Sequence, residues 1–316
     1  MPELPEVQTT VDGIYKKTKG YTVVDVWTDY NSPSHVEKSN IKNPAFFKEF
    51  KKKISGAKII GCSRRAKNIL IHLSNQYTIL IHMKMTGHMM FGQYSYSSLR
   101  KKDPWSPTTP DPKHPLNDPF NRHIHLVFTL RKNPVSPSES KHLVLSDMRK
   151  FAKVTLIETE HLEASPDLSH LGPEPLEEQF TYNIFVKQLE KRGKAPIKQA
   201  LLDQSLISGI GNIYSDEILW AAGVHPQSQF LNIPQPQRKK MFLYTKEILK
   251  KGIDFGGDSM SDYRNIDGLP GAFQGQHKAY RKTKSSCEKK GCTGVITRLV
   301  IGGRSSHFCS EHQVLF

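Results

Sequence analysis

The sequence predicts an α+β fold: an antiparallel β-sandwich or barrel opened by one helix, then a helical half, then a short cysteine-bearing hairpin. Three observations carry this expectation. Six strand-like runs occur in the first 160 residues with no helices between them, helical spacing takes over from residue 178, and three of the four cysteines crowd into the last 30 residues.

Taken in order, residues 3–19 read as a helix, with acids in its first turn, lysines in its last and Gly20 as its stop. The strand-like runs follow: YTVVDVWT from Tyr21, NILIHL from Asn68, YTILIHM from Tyr77, HIHLVFTL from His123, HLVLSDM from His142 and KVTLIE from Lys153. Their β-branched residues and spacing fit antiparallel pairing. Residues 92–121 carry six prolines and little apolar periodicity, and read as a long surface insertion. Residues 165–175 are a proline-containing connector. Helical spacing then covers 178–191, and 197–204 behind Pro196. A glycine turn at Gly209 and Gly211 opens a helix over 213–222 ended by Gly223, and a last helix over 235–251 stops at Gly252. Residues 253–276 are a glycine-rich loop. The expected divisions are a sheet domain over 1–160, a linker over 161–178, a helical domain over 179–276 and a hairpin over 277–316.

Of the 316 residues, 37% are hydrophobic and 9% aromatic, which suits a folded chain of two or three domains and excludes a disordered one. Forty-five Lys and Arg against 30 Asp and Glu leave +15, with a pI near 9.5. Such a field favours polyanions without separating DNA from RNA or an acidic membrane. No run approaches the ~18 apolar residues of a membrane span, and the acid-containing start has no apolar core of a secretory signal, so an intracellular protein with no membrane partner is expected.

Three clustered cysteines cannot form an even disulfide framework and point to a metal site in a reducing compartment. The pattern Cys287-x4-Cys292-x16-Cys309-x2-His312 offers four soft or borderline donors in two close pairs, which suits one tetrahedral structural Zn2+ ion. The alternative is three buried thiols and an unrelated histidine. Between the pairs, VITRLVIGGRSSHF reads as two strands around Gly302 and Gly303. His307 competes with His312, but it sits too near Cys309 along a strand to turn back to the same ion. The remaining Cys62 reads as a core residue.

Three features stay open on the residues alone. Gly209-Ile210-Gly211-Asn212 precedes a helix, so its N–H groups hold a phosphate or its glycines serve only a tight turn. Arg304, near the hairpin tip, contacts phosphate or merely solvates a turn. Removal of Met1 would leave Pro2 as a secondary amine, with a reference pKa of about 7.7–8.0. Attack by that amine on a sugar C1′ gives an iminium cation, an electron sink that favours elimination.

Ordered matches then accumulate: MPELPEV at the start, SRRAKNILIHL around Lys67, IHMKMTG around Met85, HIH at His123 and His125, and SDMRKF with Arg149 and Phe151. LGPEPL from Leu171, KAPIKQALLDQ from Lys194, SGIGNIYSDEILWAAGVHP from Ser208 and FGGDSMSDYRNIDGLPGAFQ from Phe255 continue them. Together they resemble the formamidopyrimidine-DNA glycosylases nearly end to end, with 92–121 the main unmatched stretch.

The resemblance implies a catalytic β-sandwich over 1–160, a helix–two-turn–helix domain carrying a lesion-capping loop at about 255–273, and a zinc-finger hairpin. It implies a bifunctional glycosylase and AP lyase that removes oxidised purines from double-stranded DNA through a Schiff base on Pro2, acting as a monomer. Glu3 is then the adjacent acid, although a first-turn glutamate also suits the helix dipole. Lys67 transfers a proton in the first elimination, and Arg304 contacts phosphates and assists the second. His123, Arg149, Lys194 and Asn212 contact DNA, while Met85, Arg149 and Phe151 fill the gap left by the extruded base. Three departures stand out: Met148 and Ala152 replace the proline and glycine usual around the Arg-Phe pair, the fourth zinc ligand is histidine with a longer first spacing, and 92–121 has no family role. The rivals are an endonuclease VIII-like enzyme for oxidised pyrimidines, against which FGGDSMSDYRN resembles the purine-capping loop, and a non-catalytic zinc-finger DNA-binding protein, against which Pro2, Glu3, Lys67 and Arg304 are all present.

Overall fold

Backbone pairing gathers the strand-forming runs into two four-stranded antiparallel sheets in a computed structural model that describes residues 1–100, 102–136, 140–260 and 262–316. One sheet has the order β1-β8-β9-β5, from β1 (Thr22–Thr28), β8 (Ile124–Arg131), β9 (Lys141–Ser146) and β5 (His88–Gly92). The other has the order β10-β4-β3-β2, from β10 (Lys153–Glu158), β4 (Tyr77–His82), β3 (Asn68–Leu73) and β2 (Ile59–Arg65). Alternate residues of both sheets, such as Val26, Phe128 and Leu145 against Ile69, Ile79 and Ile81, meet in one buried core. The sandwich, rather than the barrel, is the outcome. Val7, Val11 and Ile14 of α1 (Leu4–Thr18) complete that core at helical spacing.

Two elements here escape the strand-by-strand reading. Helix α2 (Pro44–Ile54) lies between β1 and β2, opened by Asn43, whose side chain accepts from the Ala45 and Phe46 N–H groups, with Pro44 in the first turn. The proline-rich stretch is also not structureless. It forms a hairpin, β6 (Tyr94–Tyr96) with β7 (Trp105–Pro107), followed by 3-10 turns at Pro115–Asn117 and Pro119–Asn121. Tyr94 and Leu116 pack on Met90, Ile124, Val127 and Val144, the opposite face of the first sheet, with Trp27 and Trp105 alongside. This sheet is therefore apolar on both faces, which explains why HIHLVFTL lacks a clean alternation.

The described residues divide into two compact units. One comprises Met1–Pro2, Glu6–Ser169 and Gly256–Ala272; the other comprises Glu3–Pro5, His170–Phe255 and Phe273–Phe316. The glycine-rich segment expected in the helical domain is thus grouped with the sandwich; Ser261 within it, and Lys101 within the insertion, lie outside the described residues.

The second unit holds α3 (Tyr182–Glu190), α4 (Ile197–Leu202), α5 (Asn212–Ala222) and α6 (Gln235–Asp254) around Phe185, Leu201, Tyr214, Phe230 and Met241. Helix α3 starts four residues later than its spacing implies, because Thr181 caps it through the Ile184 N–H. Helix α6 runs through Gly252 to Asp254 rather than stopping there. A Cβ at Gly252 would lie 2.6 Å from the Tyr214 ring, so that glycine serves close packing, not termination. At the end, β11 (Ile296–Ile301) and β12 (Arg304–Cys309) pair across Gly302 and Gly303, whose φ values of +56° and +73° fit a two-residue hairpin turn. Among the described residues no helix is long and apolar enough to cross a membrane.

Candidate active site and metal centre

In the sandwich unit, Pro2 is buried and Lys67 is only 5% exposed. Lys67 sits in the two-residue turn between β2 and β3, where Ala66 adopts φ +53°; a lysine at a hairpin tip is ordinarily solvated. Near it His82 is held neutral, its pKa lowered to about 3 by burial and by Lys84 and Lys67.

Met85, Arg149 and Phe151 converge on the same unit. The Arg149 guanidinium lies 4.4 Å from the Phe151 ring centroid and its Nη1 lies 3.3 Å from the Met85 sulfur. Met85 and Phe151 are 41% and 46% exposed, an apolar display that core filling does not explain. Behind them stands fully buried Asp147. Its carboxylate accepts from the Thr86 hydroxyl, from the Tyr30 hydroxyl at 2.9 Å and from the Ala152 N–H at 2.8 Å, while the Arg149 N–H donates to Thr86. Asp147 therefore ties the loop carrying Met85 to the loop carrying Arg149 and Phe151. It lies in the SDMRKF motif, yet an aspartate after a strand has no local mark of such a hub. The loops that depart from the usual proline and glycine still close, through Ala152 N–H on Asp147 and φ +52° at Lys150. The N–H of His123, which is half-exposed and at φ +68°, donates to Asp103 Oδ1 of the insertion at 3.2 Å.

In the helical unit, Glu3 is 2% exposed and caps α5: Oε1 accepts from the Ile213 N–H at 2.9 Å and Oε2 from the Tyr214 N–H at 3.4 Å. The Leu4 N–H donates to the Gly209 carbonyl at 3.0 Å. Gly209 adopts φ +88°, and a Cβ on Gly211 would lie 2.3 Å from the Glu3 carboxyl carbon. The glycine turn is thus shaped to admit Glu3, a third use beyond phosphate binding or a bare turn. Asn212 begins α5 with its buried Oδ1 lacking a hydrogen-bond partner, Lys194 is exposed, and Arg304 is exposed at the first position of β12.

A buried charge cluster joins α4, α5 and β12. Lys198 Nζ donates to the Asn212 carbonyl at 2.9 Å and to Asp216 at 2.6 Å, and Asp216 accepts from Ser306, from the His307 N–H and from the His307 ring at 2.9 Å. These hydrogen bonds satisfy charges that would otherwise be costly at zero exposure. Neither Lys198 nor Asp216 announces itself in sequence, being 18 residues apart on different helices.

The four donors Cys287, Cys292, Cys309 and His312 lie within 4.8 Å of one another and could hold a metal ion. The Lys289, Gly294 and Glu311 N–H groups each point at a cysteine sulfur, at 3.4–3.5 Å, the arrangement that stabilises thiolates. His312 Nε2 donates to the Trp220 carbonyl at 2.9 Å, which leaves Nδ1 facing the sulfurs, 3.3 Å from Cys287. His307 is engaged by Asp216 instead.

The formamidopyrimidine-DNA glycosylase N-terminal domain matches residues 1–154 and the formamidopyrimidine-DNA glycosylase H2TH domain matches residues 171–264. A formamidopyrimidine-DNA glycosylase of Bacillus subtilis is 34% identical over 316 residues, covering 99% of each chain. The chain belongs to the formamidopyrimidine-DNA glycosylase family. A Ruegeria glycosylase of the same name is 31% identical, with 99% of this chain and all of its own covered. Lactococcus lactis Fpg in complex with abasic-site DNA superposes with a TM-score of 0.78 at 28% identity, over 98% of this chain and 99% of that one. A mutant of the same protein has been solved with DNA containing Fapy-dG, again at TM-score 0.78. The family fold is therefore present across both units.

Proposed function

We propose that the protein is a bifunctional DNA glycosylase and AP lyase of base excision repair that excises oxidised purines, 8-oxoguanine and formamidopyrimidines, from double-stranded DNA. Membership of the whole chain in the glycosylase family carries this reading; the +15 charge and the buried Glu3 that caps α5 support it.

Removal of Met1 frees the Pro2 amine. Its lone pair attacks C1′ of the damaged nucleotide, the glycosidic bond breaks, and the base leaves with the electron pair and takes up a proton. The nitrogen passes its own proton to the departing base; Glu3, at a position set by the Ile213 and Tyr214 N–H groups, protonates O4′, the C1′–O4′ bond breaks, and the nitrogen lone pair forms the C1′ iminium. The resulting iminium acidifies the C2′ hydrogen. Its removal, with Lys67 as the proton-transfer group, breaks the C3′–O bond; a second elimination, assisted by Arg304, breaks the C5′–O bond. His123, Lys194 and Asn212 hold phosphates, the last beside the first turn of α5. Met85, Arg149 and Phe151 enter the gap in the stack, repaying the few kcal/mol that extrusion costs.

Cys287, Cys292, Cys309 and His312 would hold one structural Zn2+, which would cross-link the base of the β11–β12 hairpin. The protein acts on DNA inside the cell.

The test is strand nicking and borohydride trapping on duplexes with 8-oxoguanine, a formamidopyrimidine or an oxidised pyrimidine. The two purine lesions should be cut and trapped, and Pro2→Gly should abolish both signals. Cutting confined to the oxidised pyrimidine moves the protein to the endonuclease VIII-like class, and no adduct on any duplex removes the enzymatic reading.

A further inference from the structure

The proline-rich insertion touches the glycine-rich segment 256–272 at two joints, and both are built from side chains. At the first, Asn121 is 3% exposed; its Nδ2 donates to the Pro115 carbonyl at 2.7 Å and to the Gly268 carbonyl at 3.1 Å. With its amide nitrogen so engaged, its Oδ1 faces His88 Nε2 of β5 at 3.0 Å. Because an amide oxygen can only accept, this ring nitrogen carries the hydrogen and donates. Gly268 adopts φ +81°, and a Cβ there would stand 2.7 Å from Asn121 Nδ2 and 3.1 Å from Leu116. Insertion and segment are therefore fitted to one another at backbone distance.

At the second joint, the guanidinium of buried Arg264 lies 4.4 Å from the Phe120 ring centroid and its Nε points at Asp118 Oδ2, 3.4 Å away. Between the joints, Asn265 folds the segment into a closed turn, its Oδ1 accepting from the Asp267 and Leu269 N–H groups at 3.0 Å. The Phe91 N–H of β5 donates to the Ile266 carbonyl at 2.9 Å, adding a sheet-side anchor. Beyond Phe120, a cavity of about 260 Å³ is lined by Pro119, Phe120 and His123 on one side and by Thr86, Met148 and Asp262 on others. Shifting Phe120 therefore shifts a wall shared with the base-gap loop and with the glycine-rich segment.

We propose that the 115–121 part of the insertion is a brace that positions segment 262–269 for base excision, with Asp118, Phe120 and Asn121 as positioning residues. This rests on the reading of 255–273 as the lesion-capping segment. A brace acts on the step in which a base must be held outside the helix. It has no part in cutting a site from which the base is already gone. Misplacing such a segment by about 1 Å is enough to cost up to roughly a hundredfold in rate.

The test compares Phe120→Leu, Asn121→Ala and Arg264→Leu with the parent. Measured are excision from a formamidopyrimidine duplex, nicking of a preformed abasic site, melting temperature, and hydrogen exchange of the 262–272 amides. Expected are a loss of excision kcat/KM on the order of tenfold or more, abasic-site nicking within about twofold of the parent, and faster exchange over 262–272. Phe120→Leu combined with Arg264→Leu should lose no more than either alone, because both break one joint. Equal losses on both substrates, or unchanged exchange over 262–272, overturn the brace. A parent that nicks neither substrate refutes the glycosylase reading instead, and the exchange measurement still decides whether the insertion holds the segment.

Discussion

Glu3 and Gly211 are complementary: the carboxylate occupies the space that any side chain at 211 would need, and from there it caps α5. The same contact makes a structural and a chemical demand on one residue. A glutamate held by two N–H groups at a helix N-terminus is fixed in place before DNA arrives, which is the preorganisation that the proposed proton transfer requires.

Gly211→Ala is expected to displace that carboxylate. The clash at 2.3 Å is with a buried group that has nowhere to relax, so stability should fall by about 1–3 kcal/mol. Excision of 8-oxoguanine should fall much more than nicking of a preformed abasic site. Equal rates on both substrates in the variant and parent would remove Glu3 from the excision step.

Asp147→Ala should strand the Thr86 and Tyr30 hydroxyls and the Ala152 N–H together. Losing a buried acceptor of three donors should cost roughly 2–4 kcal/mol in urea unfolding. In binding assays the preference for lesion duplex over undamaged duplex should shrink, since the Met85 and Arg149 loops are no longer tied. A variant with parental stability would show that Asp147 is not the hub.

His312→Ala should reduce bound zinc and His312→Cys should retain one equivalent, as read by metal analysis of the purified proteins. His307→Ala should keep its zinc, because His307 serves Asp216. Metal should be released as pH falls, because protons compete for the thiolates and for His312. Burial lowers the His312 pKa below its ordinary 6.5, so its ring stays available to a metal further into mild acid than a free imidazole would. Full zinc in His312→Ala would remove it from the ligand set.

Arg304→Ala should flatten the salt dependence of DNA affinity by about one phosphate contact, roughly 0.9 log unit per log unit of salt. Fluorescence anisotropy across a salt series checks this; an unchanged slope would leave Arg304 as a solvated turn residue.

Stability should decline in mild acid. Burial lowers the pKa of His88 to about 4 and of His82 to about 3, against 6.5 unfolded. Between those values the unfolded chain binds protons that the folded chain refuses. The stabilisation is complete above about pH 6.5 and is lost as pH falls toward 4, about 3 kcal/mol from His88 alone. Urea midpoints between pH 7 and 4 should drop, and less steeply in His88→Gln; parallel curves would remove His88 as a source of the slope.

Local features were legible in the sequence by itself. The β11–β12 hairpin and its flanking donors follow from a glycine pair and short ligand spacings, and α1, the main strands and the Gly223 stop follow from patterns a few residues long. The matched motifs likewise singled out Met85, Arg149 and Phe151, which the fold brings together. Helix α2 is equally local, with a capping asparagine and a first-turn proline, but it lies between strand-like runs that dominate the pattern. Tertiary structure alone decided what those residues do to each other. Glu3 meets Ile213 across 210 positions, Tyr30 meets Asp147 across 117, and Asn121 meets Gly268 across 147. Such pairings leave no periodicity or spacing to read, because each is created by two segments packed together after local structure has formed. Gly252 shows the same limit: a glycine that ends a helix and one that lets a tyrosine ring approach are the same letter, and only the position of Tyr214 tells them apart.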